Sequence, residues 1–200
     1  ARYVSEDGTV FTLDRTQATP LLKFEDSPEV WALEPSPAPR GDIIYKNDLG
    51  EPVLRATRLG GFTLFTADRP KGEAVSVAGG APPLRLAPLS PQAVFAKLAQ
   101  ASVRAGRAAH HPMLFEAEAT PASSALIADA AVVTALAIMR IAEDDGGDDL
   151  LARFNKVRFE EGHKPSATLK GGVLKVTVTP SDGRAGRPSS ERIIRAARGR

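Results

Sequence analysis

The chain of 200 residues has no cysteine, which excludes a disulfide framework and a thiolate metal site. Aromatic residues are scarce, at 6%, and there is a single tryptophan. A long hydrophobic run is also missing. The most apolar stretch, residues 125–139, is interrupted by Asp129 and Thr134 and is shorter than the roughly 20 apolar residues of a membrane span. We therefore expect a buried helix there and no transmembrane segment.

Positive charge is concentrated at the C-terminal end. Residues 183–200 hold six arginines and one glutamate, whereas residues 1–182 carry a net charge of −3. A basic tail is either a solvated end or a site for an anionic polymer, an anionic lipid surface or an acidic partner. Nucleic acid is the weaker choice, because the tail contains no aromatic residue.

Residues 1–66 show short runs of β-prone residues separated by turn residues. Glu6-Asp7-Gly8, Asn47-Asp48-Leu49-Gly50 and Leu59-Gly60-Gly61 place glycine where hairpin turns need it. About seven strands in succession predict an antiparallel meander, curled into a small barrel or a sandwich. Residues 67–90 are rich in proline, glycine and alanine, which favours a linker.

Two helices are predicted to begin alike after the linker. Ser90-Pro91 and Thr120-Pro121 each place a hydroxyl at the N-cap and proline at the first helical position. The first helix runs to about Arg107, and the second, over about residues 121–143, is apolar on nearly all sides. The second helix therefore belongs at the centre of the core.

Strand patterns lie on both sides of the second helix, at residues 113–119, 157–160 and 167–179. The last contains a hairpin that turns at Gly171-Gly172, with Leu174, Val176 and Val178 on one face. We predict an α+β fold, in which the β-rich half (1–66) and the linker (67–90) precede two main helices packed on a second antiparallel sheet (91–182). A basic tail that ends in a short helix follows (183–200).

Catalytic patterns are weak. The chain has no nucleophile elbow, phosphate-binding loop or metal-ligand spacing, so we expect no cofactor and no metal. A hydrolase remains an alternative if tertiary structure brings His110 or His111 to Glu116 or Glu118. Adjacent histidines on a helix point about 100° apart, so a shared metal ion is disfavoured.

Candidate binding residues come from three places. Asp129 lies in an apolar helix, where a carboxylate is costly unless it is paired. It is either an acid held in a pocket or, as we favour, a carboxylate that is paired with an arginine or partly exposed. Trp31 and Tyr45 lie in predicted strands and are either core residues or contacts for a ligand. The tail contributes further cations, namely Arg187, Arg192 and Arg195.

Three stretches resemble an alphaproteobacterial family catalogued only as a domain of unknown function. They are LKFEDSPEVW at residues 22–31, IYKNDLGEPV at 44–53 and GRPSS at 186–190. The resemblance covers nearly the whole chain and implies a protein made with an export signal. It supplies no catalytic residues.

These observations favour a non-enzymatic, exported protein that binds a protein or an envelope component. The chain begins at Ala1 without methionine, as after removal of a signal peptide or in a shortened chain. We therefore expect a periplasmic or secreted location, with a cytoplasmic one left open. The hydrolase and an anionic-polymer or lipid binder that uses the arginine-rich tail remain the alternatives.

Overall fold

Nine short strands form from the alternating residues of the first 85 positions. They are seen in a computed structural model that describes residues 1–200 and divides into two units, Ala1–Arg85 and Leu86–Arg200. The strands of the first unit are β1 Arg2–Ser5, β2 Val10–Asp14, β3 Leu21–Phe24, β4 Val30–Ala32, β5 Glu34–Pro37, β6 Ile43–Lys46, β7 Pro52–Ala56, β8 Phe62–Leu64 and β9 Glu73–Gly79.

The nine strands form one antiparallel sheet that is nearly closed into a barrel. Its order is β4-β3-β2-β1-β9-β8-β7-β6-β5, so β1 pairs with the last strand, β9. The two strands at the ends of this order, β4 and β5, are separated only by Leu33 in the chain. The predicted antiparallel meander, curled into a small barrel, is therefore confirmed.

Aromatic rings and leucines fill the barrel. Tyr3 stacks on Phe11, with ring centroids 5.3 Å apart, and meets the edge of Phe62 at 5.1 Å. Such aromatic pairs stabilise by about 0.5–1.5 kcal/mol beyond the area that they bury. The other buried apolar residues of this core are Leu13, Leu22, Leu33, Tyr45, Val53, Leu54 and Leu64.

The assignment of residues 67–90 to a linker is wrong for the part that forms β9. Proline and glycine are concentrated at residues 79–83, but Glu73-Ala74-Val75-Ser76-Val77 alternates as a strand does. Between β1 and β8, this segment supplies hydrogen-bonding partners to both strands, which fixes it in the sheet. Residues 80–90 have no regular secondary structure.

The second unit places helices on a four-stranded sheet, as expected of an α+β protein. The sheet order is β10-β11-β13-β12. The elements are α1 Pro91–Ala109, β10 Leu114–Ala117, α2 Ser124–Glu143, α3 Gly147–Leu151, β11 Lys156–Glu161, β12 Ser166–Lys170, β13 Val173–Val178 and α4 Ser190–Ala197.

One detail of the prediction is wrong, because this second sheet is mixed rather than antiparallel. The pairs β10–β11 and β11–β13 are parallel, and only the hairpin β12–β13 is antiparallel. The chain returns from β10 to β11 through α2 and α3, and such a crossover brings two neighbouring strands into the same direction. The predicted hairpin at Gly171-Gly172 is present, with Leu174, Val176 and Val178 fully buried.

Helix α2 lies in the core, as predicted. Eleven of its 20 residues are buried, on several sides of the helix. By length and composition alone α2 is also apolar enough to cross a membrane, whereas the shorter stretch 125–139 predicts no such helix. In the structure, 61% of the most apolar window of α2 is buried inside the protein. A core helix passes the same test, so the expected absence of a transmembrane segment stays a prediction.

Of the two predicted helix starts, the one at Ser90 is confirmed and the one at Thr120 is wrong. The side chain of Ser90 accepts a hydrogen bond from the Ala93 N–H at 3.2 Å, which confirms the N-cap of α1. Thr120 does not cap α2, which begins at Ser124. The Ser123 hydroxyl accepts from the Thr120 N–H at 2.9 Å, and the Ser123 N–H donates to the Thr120 carbonyl, so residues 120–123 close a turn before the helix.

A buried carboxylate holds the last residues of the first unit. Asp14 Oδ2 accepts from the Leu84 N–H at 2.9 Å, and Oδ1 accepts from the Thr16 N–H and hydroxyl at 2.9 and 2.7 Å. Burial alone would raise the pKa of this carboxyl, but the hydrogen bonds from Thr16, Leu84 and Gln17 outweigh it, so the pKa lies well below its ordinary value.

We expect Asp14→Asn to destabilise the first unit by about 1.5–3 kcal/mol at pH 7, because hydrogen bonds to a charged group are lost. A lowered folded-state pKa stabilises at pH values above the unfolded-state pKa of about 3.9, and this stability is lost as pH falls through the folded value. Urea unfolding at several pH values, followed by fluorescence of Trp31, measures both effects. The exposed Asp26→Asn is the control. Equal acid sensitivity of Asp14→Asn and the wild type would contradict this role.

Candidate functional site

Asp129 is held by two arginines of the C-terminal segment. Its Oδ1 accepts from Arg184 Nη1, and its Oδ2 from Arg187 Nε, each at 2.5 Å. The side chain of Arg187 is only 2% exposed and that of Asp129 only 13%. The interpretation of Asp129 as the structural partner of an arginine is therefore confirmed, and its carboxylate is occupied on both oxygens.

The backbone around Arg187 approaches its neighbours closely. A Cβ atom at Gly186 would lie 1.9 Å from the Thr179 carbonyl oxygen, so only glycine fits there. The Thr179 N–H donates to the Gly186 carbonyl at 2.7 Å. Residues 186–190 are all buried, which makes the GRPSS stretch a packing element.

The basic tail is not a solvated end. Helix α4 buries Ile193, Ile194 and Ala197 in the core of the second unit, and it packs against α2 and β12. Arg140 bonds Ser190 at 3.1 Å and Glu191 at 2.5 Å, and Arg198 pairs with Asp144. The hydrophobic side of α4 packs the tail against the core. Three arginines of the tail, Arg184, Arg187 and Arg198, pair with carboxylates of α2 and of the residue that ends it.

The two other arginines singled out in the tail lie on α4. The Arg192 N–H donates to the Ser189 side chain at 3.1 Å, which caps the helix. The side chain of Arg195 is exposed, and that of Arg192 is half-buried. These arginines lie on the same segment as Arg187, but Arg187 itself is turned inward to Asp129.

The residues of the hydrolase hypothesis are not brought together. His110 is exposed in the left-handed region, with φ +58°, as the C-cap of α1. The ring nitrogens of His111 lie 3.1 Å from the carbonyl oxygens of Pro112 and Leu151. Glu116 is paired with Lys156 at 3.3 Å and Arg158 at 3.8 Å, and Glu118 is exposed. No histidine of this set bonds a carboxylate, and no three acidic or histidine side chains are grouped as metal ligands.

Trp31 and Tyr45 belong to the barrel. Tyr45 is 4% exposed and lies opposite the fully buried Leu54 in the β6–β7 pair. Trp31 is half-buried and packs against the same core. The core interpretation of these two residues fits their positions better than contact with a ligand does.

An apolar groove in the second unit was not predicted. It has a volume of about 440 Å³ and no charged residue in its lining. One of its lining residues, Phe95 on α1, is 74% exposed, whereas Val94, Ala101 and Ala105 of the same helix are buried. The lining residues are Leu89, Pro91, Val94, Phe95, Leu98, Ala117, Ala119, Thr120, Pro121 and Ser124.

Hydrogen bonds fix one wall of this groove. Thr120 donates its hydroxyl hydrogen to Glu161 at 2.5 Å, and this bond, with a second from the Ser123 hydroxyl, lowers the pKa of the Glu161 carboxyl. Two further exposed apolar side chains lie on the elements that border the groove: Val103 on α1 is 53% exposed and Leu114 on β10 is 52% exposed. Of the exposed apolar side chains, Phe95 is the one that lines the groove, and an apolar groove of this kind marks an interaction site.

The fold and the groove define an α+β protein with an open apolar surface. The chain belongs to the family described as Domain of unknown function (DUF4908), whose model matches residues 1–197. No curated protein and no solved structure matches the chain.

We expect Asp129→Ala to destabilise the second unit by about 3–5 kcal/mol, because it leaves the buried Arg187 without its carboxylate. Amide hydrogen exchange over Ser190–Ala197 should accelerate, since the tail loses its attachment to α2. Glu191→Ala, which breaks the more exposed pair with Arg140, is the matched control and should cost at most about 1 kcal/mol. Similar losses in the two variants, measured by urea unfolding, would show that the Asp129 pairs are not special.

Proposed function

We propose that this protein is a non-enzymatic binding protein of the cell envelope and that its ligand is another protein. The observation that carries the proposal is Phe95, a large aromatic side chain that is 74% exposed beside an apolar groove. Aromatic side chains next to pockets dominate the energetics of protein interfaces.

The surroundings of Phe95 support a protein ligand. The groove lining is mostly apolar and offers no charged group to orient a small polar molecule. Interfaces between proteins combine an apolar centre with a charged rim. The exposed Lys97 and Arg104 on α1 and Glu118 after β10 would supply such a rim.

An exported, periplasmic location and an alphaproteobacterial family are part of the proposal. Both rest on the resemblance of residues 22–31, 44–53 and 186–190. Fractionation of the native cells, with antibodies to this chain and to known cytoplasmic and periplasmic proteins, tests the location. Recovery with the cytoplasmic proteins would contradict it.

The two alternatives have less support. A hydrolase that uses His110 or His111 with Glu116 or Glu118 needs a hydrogen-bonded pair, whereas His111 contacts backbone carbonyls and Glu116 pairs with Lys156. A binder of anionic polymers or lipids through the tail would have to use arginines that remain available when Arg184 and Arg187 are held by Asp129.

A photo-crosslinking amino acid in place of Phe95, in the full chain in its native cells, tests the protein ligand. We expect one discrete protein adduct, identified by mass spectrometry. The same substitution at Leu59, which is 93% exposed in the first unit, is the control and should give no such adduct.

The identified partner then allows a quantitative test with purified proteins. Phe95→Asp should weaken binding by about ten- to a hundredfold, since burial of a phenylalanine contributes about 1.5–3 kcal/mol. Leu59→Asp should leave binding unchanged. Equal adducts from positions 95 and 59, or equal affinities of the two variants, would contradict the proposal.

A further inference from the structure

We infer that a pocket at one end of the barrel binds a small apolar molecule that carries a carboxylate, and that Arg15 and Tyr3 hold that carboxylate. This site belongs to the first unit, and it is independent of the groove at Phe95 in the second unit. The pocket has a volume of about 270 Å³. Its lining residues are Ala1, Tyr3, Leu13, Asp14, Arg15, Thr16, Ala81, Pro82 and Pro83.

The pocket lies where β1 begins and β2 ends. Leu13 belongs to the barrel core, whereas Pro82 and Pro83 are exposed, so the pocket opens from the core to the surface. The mouths of β-barrels are a common place for small-ligand sites, and pockets of about 300–1,000 Å³ take drug-sized molecules. A pocket slightly below that range suits a smaller molecule, with one ring or a short chain.

Tyr3 brings to the pocket a hydroxyl group that has no partner. Its ring stacks on Phe11 and meets the edge of Phe62, and the residue is only 4% exposed. A buried tyrosine usually pairs its hydroxyl, but the Tyr3 hydroxyl forms no hydrogen bond within the chain. Glu73 Oε1, and not this hydroxyl, is sealed from solvent without a partner. The Tyr3 hydroxyl therefore reaches accessible space, which the pocket provides.

Arg15 supplies a positive charge that no carboxylate of the chain neutralises. Its guanidinium carbon lies 5.5 Å from the centroid of the Phe62 ring. Because Phe62 contacts both side chains, the Arg15 guanidinium and the Tyr3 ring are held next to each other at the pocket. A guanidinium presents parallel N–H donors that match the two oxygens of a carboxylate, and a tyrosine hydroxyl adds a third donor.

The acidic side chain of the lining is already occupied. Asp14 is 4% exposed, and its two oxygens accept four hydrogen bonds, two from Thr16 and one each from Gln17 and the Leu84 N–H. The bond to Leu84 also fixes the neighbouring wall at residues 81–83. The side-chain charge that remains available to a ligand is therefore the positive one of Arg15.

The rest of the lining selects an apolar acid. Leu13, Ala81, Pro82 and Pro83 have apolar side chains, and the prolines have no N–H to donate. One guanidinium and one hydroxyl match the single charge and two oxygens of a carboxylate. A phosphate ester carries a charge of about −1.5 to −2, and its extra charge would be repelled by Asp14.

Benzoate is the probe, and its binding to the full ¹⁵N-labelled chain is followed by NMR shifts. We expect saturable shifts at the Arg15, Thr16 and Ala81 amides. Benzoate should bind at least about tenfold more tightly than benzamide, which has the same ring and no charge. It should also bind at least about tenfold more tightly than acetate, which has the charge and no ring.

Two variants test the residues that hold the carboxylate. Arg15→Gln changes an exposed side chain, and Tyr3→Phe keeps the ring in the core, so the spectra without benzoate should show an intact barrel. Each should weaken benzoate binding by at least about tenfold, because a hydrogen bond to a charged group is lost. Arg69→Gln, in the turn before β9 and outside the lining, is the matched control and should leave binding unchanged.

Three results would overturn the inference. Absence of saturable shifts at the pocket would reject the site. Equal binding of benzoate and benzamide, or equal affinities of either variant and Arg69→Gln, would show that these residues hold no carboxylate. Tighter binding of phenyl phosphate than of benzoate would identify a phosphate ester as the ligand. The proposed function is tested separately, by the adducts at positions 95 and 59.

Discussion

One carboxylate, on a side chain that is 13% exposed, organises the second unit. Asp129 lies in the most apolar helix of the chain, where an isolated charge would be far too costly, so the fold must bring cations to it. Both come from the C-terminal segment, and the nearly inaccessible Arg187 is the deeper of the two. With it come Ile193, Ile194 and Ala197, which join the core formed with α2 and the sheet. The C-terminal segment therefore both neutralises the charge of Asp129 and completes the hydrophobic packing around α2.

The central position of α2 also decides where the sheet is open. The chain leaves β10, passes through α2 and α3 and returns to β11, which makes the two strands parallel neighbours. β13 takes the other side of β11, and its hairpin partner β12 is packed against α4. This leaves β10 as an edge strand of the sheet, in contact with α1. The groove at Phe95 is a consequence of this topology rather than of any local motif.

Local signals in the sequence predicted much of the fold. The Gly171-Gly172 hairpin, the Ser90 cap and the buried α2 each follow from residues close in the chain, and the antiparallel barrel follows from repeated hairpin turns. The parallel strand pairs and the place of β9 depend on which distant segments meet, which composition does not encode. In residues 67–90 the many prolines and glycines favour a linker, and the alternation of side chains at residues 73–77 is too short to predict a strand against that signal.

The candidate site was harder to predict than the fold, for two physical reasons. Asp129 was recognisable, because a charge in an apolar helix demands a partner, but its partners lie 55 and 58 residues away. The charge of the arginine-rich tail is visible in the sequence, whereas the close approach of Gly186 to Thr179 is not. Phe95 gave a weak signal, as the single aromatic residue of its helix, and only the tertiary structure shows the groove that it lines.

The ionisable groups and the apolar groove bear on function in different ways. The displaced carboxyl groups, Asp7, Asp14, Asp42 and Glu161, all have pKa values below their ordinary range. Hydroxyl, amide or guanidinium donors hold them ionised, and they brace turns and strand ends. Exposed apolar area beside unpaired backbone groups, by contrast, is a cost to a folded chain unless a partner covers it. The shifted carboxyl groups stabilise turns and strand ends, whereas the apolar groove lies open, so we look for function at α1 and β10.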